Sequence, residues 1–345
     1  MVTKIGLDLG YANITISDAS LEVYREPSVA IIDKNTRRVV SVGRDALKAE
    51  NANDGMLVRP FKNGLLYSSE FTEQIIKASL KAVNTSDDIR LVVGVPDEFT
   101  PKQENALYSI ISGQGIKDCH FVNRAVAALI GAGYAPTISA VSVNVGASKT
   151  EIAIIHQGQV FYSATADIGG EDFDEAVQKY IYEQGELSIS LIDARAIKEG
   201  IGAVWDGRQA NPVTISGTLA LTGNKIRMSV SSEDILGVFE KPLYKLLNAV
   251  ADAVKMIPTE YVQEIFANGV VLSGGGAELY GLDKMIAKVF SLEVTMANNP
   301  QDCVARGLSI VNNKFLPIKM RSNGKNITSQ LSKFYKTNNK NKSGE

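Results

Sequence analysis

Three glycine-rich turns are the parts of this sequence best suited to binding chemistry. Gly10 and Gly146 each follow an apolar run typical of a strand, and Gly274, Gly275 and Gly276 come between a strand and a helix. A tight glycine turn exposes successive backbone N–H groups, which bind anions without a cationic side chain. The first two turns therefore predict phosphate contacts. The third turn, at the start of a helix, predicts a surface for a base or a ribose.

An acidic residue stands just before the first turn. Mg²⁺ keeps several waters and takes only one or two carboxylates, so the single carboxylate of Asp8 is a sufficient candidate ligand. The triple glycine does not fit the pattern G-x-G-x-x-G, and no G-x-x-x-x-G-K-[ST] occurs, which excludes a Walker-type nucleotide hydrolase. A tight strand–helix connection is the alternative explanation of the third turn, although one glycine usually satisfies it.

The first two turns belong to a weak internal repeat. Residues 7–13 and 143–149 share one plan: a strand with Asp or Asn between apolar residues, then Gly, small or polar residues, and a second strand. The repeat predicts an α/β protein with two related halves, each of which opens with a β-hairpin. The alternative, that any two such strands followed by glycine look alike, stays open at this point.

Composition narrows the class of protein. A length of 345 residues predicts two or three domains, and 36 basic against 38 acidic residues argue against a nucleic-acid partner. Two cysteines and two histidines exclude a disulfide scaffold and a metal site of Cys or His ligands. We find no signal peptide and no apolar run of about 18 residues, and we expect a cytoplasmic protein. Residues 314–345 carry eight basic residues and one acidic residue, which leaves a net charge of −9 in residues 1–313.

Seven segments occur in an order that matches one protein family. They are DLGYANITI (8–16), EPSVAII (26–32), VRPFKNGLL (58–66), AALIGAG (127–133), IGGEDFDEAV (168–177), GVVLSGGGAELYGLD (269–283) and DCVARG (302–307). This pattern resembles the MreB family of bacterial actins, within the actin, Hsp70 and sugar-kinase superfamily. The resemblance implies an α/β, actin-like, two-lobed fold with duplicated RNase H-like domains. It also implies ATP or ADP with Mg²⁺ in a cleft between the lobes, and self-assembly into protofilaments.

The resemblance divides the chain and assigns its site. Lobe I is expected over 1–143, with an insertion at about 33–66 and a return at 314–320. Lobe II is expected over 144–313, with an insertion at about 181–240, before a basic flexible tail at 321–345. By position in the family pattern, the nucleotide-binding residues are Gly10, Tyr11, Ala12, Asn13, Gly146, Ala147, Ser148, Gly169, Gly170, Arg195, Lys198, Gly274, Gly275, Gly276, Ala277 and Glu278. Lys198 could instead be a solvated charge on the surface of its helix.

The chain departs from the family pattern at the residues tied to hydrolysis. Arg124 stands where the family has the Glu thought to activate water, Asn144 replaces an Asp, and Lys149 replaces a Thr. A guanidinium stays protonated, so Arg124 cannot act as a general base. We therefore predict ATP binding with slow or no hydrolysis, in which Arg124 and Lys149 hold the phosphates. In the alternative, both side chains point away and another group takes over.

The resemblance also suggests where the chain meets a membrane and what else it could be. The candidates for contact with an anionic inner membrane are the loop at Phe99 and the basic tail, where Ile327, Leu331, Phe334 and Tyr335 share one predicted helical face. We expect peripheral membrane association, copolymers with paralogues, and a role in cell shape or motility. The main alternative is a sugar or acetate kinase of the same fold. An Hsp70-like chaperone is disfavoured because no substrate-binding domain follows residue 313.

Overall fold

The computed structural model describes residues 2–48, 55–59, 61, 62, 65, 66, 69–83, 88–316, 324, 326–331, 333, 335 and 336. Its architecture rests on two five-stranded sheets with helices packed against them. No helix in this part of the chain is both long and apolar enough to cross a bilayer.

The first half of the chain forms the first large sheet. Its strand order is β10-β9-β1-β2-β3, in which β1 and β2 form an antiparallel hairpin and β1, β9 and β10 run parallel. The elements are β1 (Thr3–Leu9), β2 (Asn13–Ser17), β3 (Val23–Pro27), β4 (Ala30–Asp33), β5 (Val39–Val42), α1 (Gly43–Lys48), β6 (Gly55–Val58), β7 (Phe61–Lys62), β8 (Leu65–Leu66), α2 (Ser69–Ala82), β9 (Ile89–Val95), α3 (Pro101–Gly113), β10 (Asp118–Asn123) and α4 (Arg124–Gly131).

The second half repeats this plan. Its sheet has the order β18-β17-β11-β12-β13, with β11 and β12 as the antiparallel hairpin and β11, β17 and β18 parallel. The elements are β11 (Ala140–Val145), β12 (Thr150–His156), β13 (Gln159–Ala166), α5 (Gly170–Gly185), β14 (Leu187–Ser188), α6 (Leu191–Ile201), β15 (Val213–Leu219), β16 (Lys225–Val230), α7 (Ser232–Ile235), α8 (Glu240–Val254), α9 (Val262–Asn268), β17 (Val270–Ser273), α10 (Leu282–Phe290), β18 (Val294–Met296) and α11 (Cys303–Ile310).

The two hairpins match closely, which confirms the predicted internal repeat. In the first, Leu9 pairs with Ile14, and in the second Val145 pairs with Thr150, so the same number of residues lies in each turn. β11 is buried along its whole length, as expected of a central strand covered on both faces. Smaller sheets, β5-β4-β6 and β14-β15-β16, fall near the two predicted insertions. The lobe boundaries themselves stay a prediction.

Two helices that contain many small residues, α4 and α11, pack closely against each other between the two halves. α4 and α11 approach so closely that a Cβ placed on Gly131 would lie 1.8 Å from the backbone oxygen of Cys303. A Cβ on Gly307 would lie 1.8 Å from the backbone oxygen of Ala127. Because only glycine permits this approach, the packing fixes α4, whose first residue is Arg124, between the two sheets.

Both candidate membrane contacts need correction where the structure describes them. Phe99 is only 8% exposed and belongs to the core of the first sheet, so it is not a free loop tip. Ile327 and Leu331 are fully buried in the core around α4 and α11. The chain returns to β10 there, where the Ile327 N–H donates to the Phe121 carbonyl oxygen at 2.8 Å. Phe334 lies outside the described side chains.

Candidate functional site

A cavity of about 380 Å³ lies between the two large sheets. The turns of the two hairpins meet there, one from β1–β2 and the other from β11–β12. Of the residues predicted from sequence to bind nucleotide or metal or to affect hydrolysis, only Gly169 and Ala277 do not line it. Residues on its wall that sequence reasoning missed are Leu9, Thr15, Arg25, Glu151, Phe173, Glu199, Leu279, Gln301 and Val304.

The glycine turns are sterically required. A Cβ on Gly10 would lie 2.6 Å from the backbone oxygen of Asn13, and one on Gly146 would lie 2.9 Å from that of Lys149. Gly274 has φ +84°, and its Cβ would lie 2.3 Å from the backbone oxygen of Val145. Each turn thus brings bare backbone to the cavity, as anion binding by N–H groups requires.

The start of α5 supports the second turn. The N–H of Gly170 donates to the carbonyl oxygen of Gly146 at 2.9 Å, and the N–H of Glu171 donates to that of Ala147 at 2.7 Å. A Cβ on Gly169 would lie 2.6 Å from the Ala147 oxygen. Gly169 therefore positions the turn from behind.

Two cations on α6 face the cavity and share one buried carboxylate. Lys198 Nζ lies 2.6 Å from Asp174 Oδ1 and donates to the Gly170 carbonyl oxygen at 2.8 Å. Arg195 Nε donates to Asp174 Oδ2 at 3.2 Å. Because the Lys198 side chain is only 12% exposed, it is not a solvated helix charge. Asp174 lies in the segment IGGEDFDEAV, but its spacing gave no signal that it would anchor both cations.

Carboxylates occupy the wall near the third turn. Burial and the neighbouring Glu199 raise the pKa of Glu278 above its ordinary value, and both residues line the cavity. Carboxylate oxygens accept hydrogen bonds from hydroxyl groups, so this end of the cavity suits a sugar.

An ionic cluster stands beside the first two turns. Arg124 Nη2 lies 3.3 Å from Asp8 Oδ1, and Arg124 Nε lies 3.4 Å from Glu151 Oε2. Asn144 Nδ2 donates to Glu151 Oε2 at 3.1 Å. Burial raises the pKa of Asp8, while Arg124 acts to lower it. Arg124 thus connects a carboxylate of each sheet.

The remaining predicted cation is paired at the cavity edge. Lys149 Nζ lies 3.2 Å from Asp167 Oδ1, whose side chain is mostly exposed. Lys149 is also one of the residues that line the cavity.

Tyr11 joins the halves across the cavity. The Arg59 guanidinium carbon lies 5.0 Å from the centre of the Tyr11 ring, and Arg59 Nη2 lies 3.7 Å from Glu171 Oε1. Burial and the nearby Glu171 raise the pKa of Tyr11. Arg25 forms a second such link with Asp302. No local pattern indicated these contacts, because their partners are far apart in sequence.

The donor set beside the turns does not fit the predicted Mg²⁺ site. Asp8 Oδ1 is buried and accepts no hydrogen bond from the described residues, and its nearest charged partner is Arg124. Mg²⁺ requires oxygen ligands at about 2.0–2.1 Å and several waters around it. The Arg124 guanidinium takes up the space between Asp8 and Glu151, so these two carboxylates are not free to hold the ion.

Comparisons with known proteins agree with this geometry. The model of the family described as MreB/Mbl protein matches residues 2–320. The chain belongs to the MreB/Mbl family. It is 30% identical over 316 residues to the cell shape-determining protein Mbl of Bacillus cereus, which covers 89% of this chain and 95% of the relative. It is also 30% identical to MreB of Escherichia coli K12, covering 88% of this chain and 91% of the relative.

Solved structures confirm the predicted actin-like fold for this MreB/Mbl family member. MreB5 of Spiroplasma citri bound to ADP superposes with a TM-score of 0.84 at 24% identity, covering 90% of this chain and 96% of that one. The MamK double helical filament gives 0.77 at 20% identity, covering 92% and 100%.

Proposed function

We propose that this chain binds ATP and ADP in the cavity between its sheets and assembles into actin-like filaments that serve cell shape or motility. The observation that carries the proposal is the meeting of three glycine turns on one cavity of about 380 Å³. Nucleotide-sized ligands occupy cavities of about 300–1,000 Å³. Cell shape-determining relatives, an ADP-bound MreB5 and a MamK filament support it.

In this site the phosphates would lie on the first two turns. The N–H groups there need no cation to bind an anion, and Lys149 and Arg124 add positive charge beside them. The ribose would lie near Glu199 and Glu278, with the base against the backbone of the third turn.

Hydrolysis in this proposal is slow or absent. Phosphoryl transfer to water needs a group that orients the water. Arg124 cannot accept a proton, and the nearby Asp8 and Glu151 carboxylates both face its guanidinium. No carboxylate of this cluster is left to hold the attacking water.

A phosphate-release assay tests this part. The purified chain is compared with the double variant Arg124→Glu/Lys149→Thr, which restores the family residue at two of the three departing positions. We expect the double variant to release phosphate faster than the unmodified chain. A wild-type rate equal to that of an ordinary MreB would refute slow hydrolysis, while leaving nucleotide binding intact.

The kinase alternative receives no support from the described residues. A sugar or acetate kinase needs an acid or base beside the transferred phosphate. The two carboxylates at that end, Asp8 and Glu151, are engaged by Arg124. A coupled assay with small acceptor molecules that showed turnover would reverse this conclusion.

Filament formation is tested directly. Sedimentation and negative-stain microscopy with ATP, ADP and a non-hydrolysable analogue should show polymers that depend on bound nucleotide. Mixing with paralogous chains tests for copolymers. Only small oligomers under every condition would contradict the proposal.

The chain in this proposal is cytoplasmic and lies beneath the membrane, which it contacts through the charge of its basic tail. A truncation at residue 316 would remove the buried Ile327 and Leu331, so it is a poor test. Changing Lys336, Lys340 and Lys342 to Glu instead reverses basic charge in the tail and keeps Ile327 and Leu331 in the chain. Co-sedimentation with anionic liposomes should weaken in this variant, and equal binding would reject the tail as the contact.

A further inference from the structure

The Arg124 side chain is enclosed by carboxylates at the phosphate end of the cavity. It is 15% exposed, and its guanidinium reaches Asp8 at 3.3 Å and Glu151 at 3.4 Å. These carboxylates belong to β1 and β12, one from each large sheet. The single positive charge of Arg124 therefore connects the two walls of the site.

The backbone and its neighbours fix this guanidinium in place. Asn123 caps α4 by accepting from the N–H groups of Ala125 and Val126, which places Arg124 at the first helical position. Its stem lies over Gly94, where a Cβ would come within 3.0 Å of Arg124 Cγ. A cation is disfavoured at a helix N-terminus, so the two carboxylates must offset that cost.

Without Arg124, the two negative charges of Asp8 and Glu151 would equal in number the charge of a divalent cation. Asp8 and Glu151 then leave two negative charges on side chains that are 11% and 15% exposed. Two buried carboxylates without a cation are costly, and a divalent ion would neutralise both. With Arg124 present, one charge is already neutralised and the space beside Asp8 is taken.

The other residues at the phosphate end act in the same direction. Arg124 and Lys149 supply two positive charges there, and Asn144 is neutral. Asn144 faces Glu151 with its amide N–H rather than offering a second carboxylate to a metal. The protein itself thus supplies positive charge that would otherwise come from a bound ion.

We propose that Arg124 takes the place of the divalent cation in this cleft, so that the chain binds free nucleoside di- and triphosphates without Mg²⁺. This inference rests on the proposed nucleotide binding and specifies the form of the ligand. The guanidinium offers several N–H donors to phosphate oxygens, while Lys149 adds a second cation at the cavity.

Calorimetric titration of the full chain with ATP tests it, in excess Mg²⁺ and again in excess EDTA. We expect the two dissociation constants to agree within about fivefold, a difference of about 1 kcal/mol. Binding that is tighter in Mg²⁺ by more than this would overturn the inference alone. Absence of binding in both buffers would overturn the proposed function together with the inference.

The variant Arg124→Gln removes the proposed substitute for the divalent cation, and Arg195→Gln, the same change at another cavity arginine, is its control. Removing Arg124 should make ATP binding depend on Mg²⁺ by about tenfold or more, because two carboxylates then lack a cation. Removing Arg195, a guanidinium held by Asp174 on α6, should weaken ATP binding about equally in both buffers. Mg²⁺ dependence unchanged in Arg124→Gln would contradict the inference.

Binding of Mn²⁺ gives a readout that is independent of nucleotide affinity. Electron paramagnetic resonance should show no protein-bound Mn²⁺ in the wild type without nucleotide, and bound Mn²⁺ in Arg124→Gln. Mn²⁺ bound to the wild type at Asp8, lost in Asp8→Asn, would refute the inference. If Arg124→Gln does not fold, the wild-type titrations and spectra decide the question by themselves.

Discussion

The carboxylate that holds the two α6 cations offers the sharpest test of the site's construction. Asp174 is 1% exposed and contacts Lys198 at 2.6 Å and Arg195 at 3.2 Å. Asp174→Asn keeps the shape of the side chain but removes its charge. Lys198, only 12% exposed, would then be a buried cation without a carboxylate.

The expected loss of stability follows from burial. Removing one partner of a buried ion pair costs about 3–5 kcal/mol. Lys198 keeps its hydrogen bond to the Gly170 oxygen, and Arg195 keeps Glu171 at 3.7 Å, which offsets part of that cost. We therefore expect Asp174→Asn to lower the free energy of unfolding by about 2–4 kcal/mol without nucleotide.

Urea denaturation followed by tryptophan fluorescence measures this loss in the half that contains Asp174. Trp205 is the single tryptophan, and it packs against Gly281 in the second half. The matched control is Asp252→Asn. This change breaks a pair with Lys255 at 2.9 Å whose side chains are more than 70% exposed, and it should cost under about 1 kcal/mol.

If Asp174→Asn is no more destabilising than Asp252→Asn, the reasoning is refuted, because both carboxylates form short ion pairs but only Asp174 is buried and holds two cations. A second variant isolates the cause. Lys198→Met in the Asp174→Asn background removes the unpaired cation and should recover part of the lost stability.

Three further predictions concern the fold. Gly131→Ala should lower the melting temperature by the equivalent of about 3 kcal/mol or more, because the added Cβ would lie 1.8 Å from a backbone oxygen of α11. Gly113→Ala is the control: its added Cβ would meet no atom within 4 Å, so the change should be neutral or slightly stabilising. Ile327→Ala should cost about 2–5 kcal/mol in urea denaturation if its burial is structural, whereas a lipid-facing residue would cost little. Burial and a hydrogen bond to Glu26 raise the pKa of Tyr24 to about 12. The stability that this shift contributes is therefore complete below about pH 10 and is lost as the pH rises through 12. In denaturation measured across this pH range, Tyr24→Phe should lose less stability than the unmodified chain.

The strands and turns of the site were predictable because their signals are local. The repeat around Gly10 and Gly146 carries both the apolar alternation of a hairpin and the glycine that its turn requires. The triple glycine at 274–276 likewise marks a strand–helix connection, in which Gly274 has positive φ. Such patterns depend on neighbours within a few residues, which the sequence shows directly.

The tail shows where local pattern fails. Ile327 and Leu331 have the spacing of an amphipathic helix, and the basic residues around them suggested a lipid surface. Periodicity indicates that a face is apolar but not what covers it. The structure buries Ile327 and Leu331 in the core around α4 and α11, to which both halves contribute.

The sequence by itself determined the family, the two matching hairpins and most of the residues that line the cavity. Only the tertiary structure decided which charges neutralise one another. Arg124 meets Glu151 from the opposite sheet, and Asp174 meets Lys198 from the next helix, at distances of 3.4 Å and 2.6 Å. The energy of a charge depends on its distance to other charges and on its burial, and neither is encoded in any local run of residues.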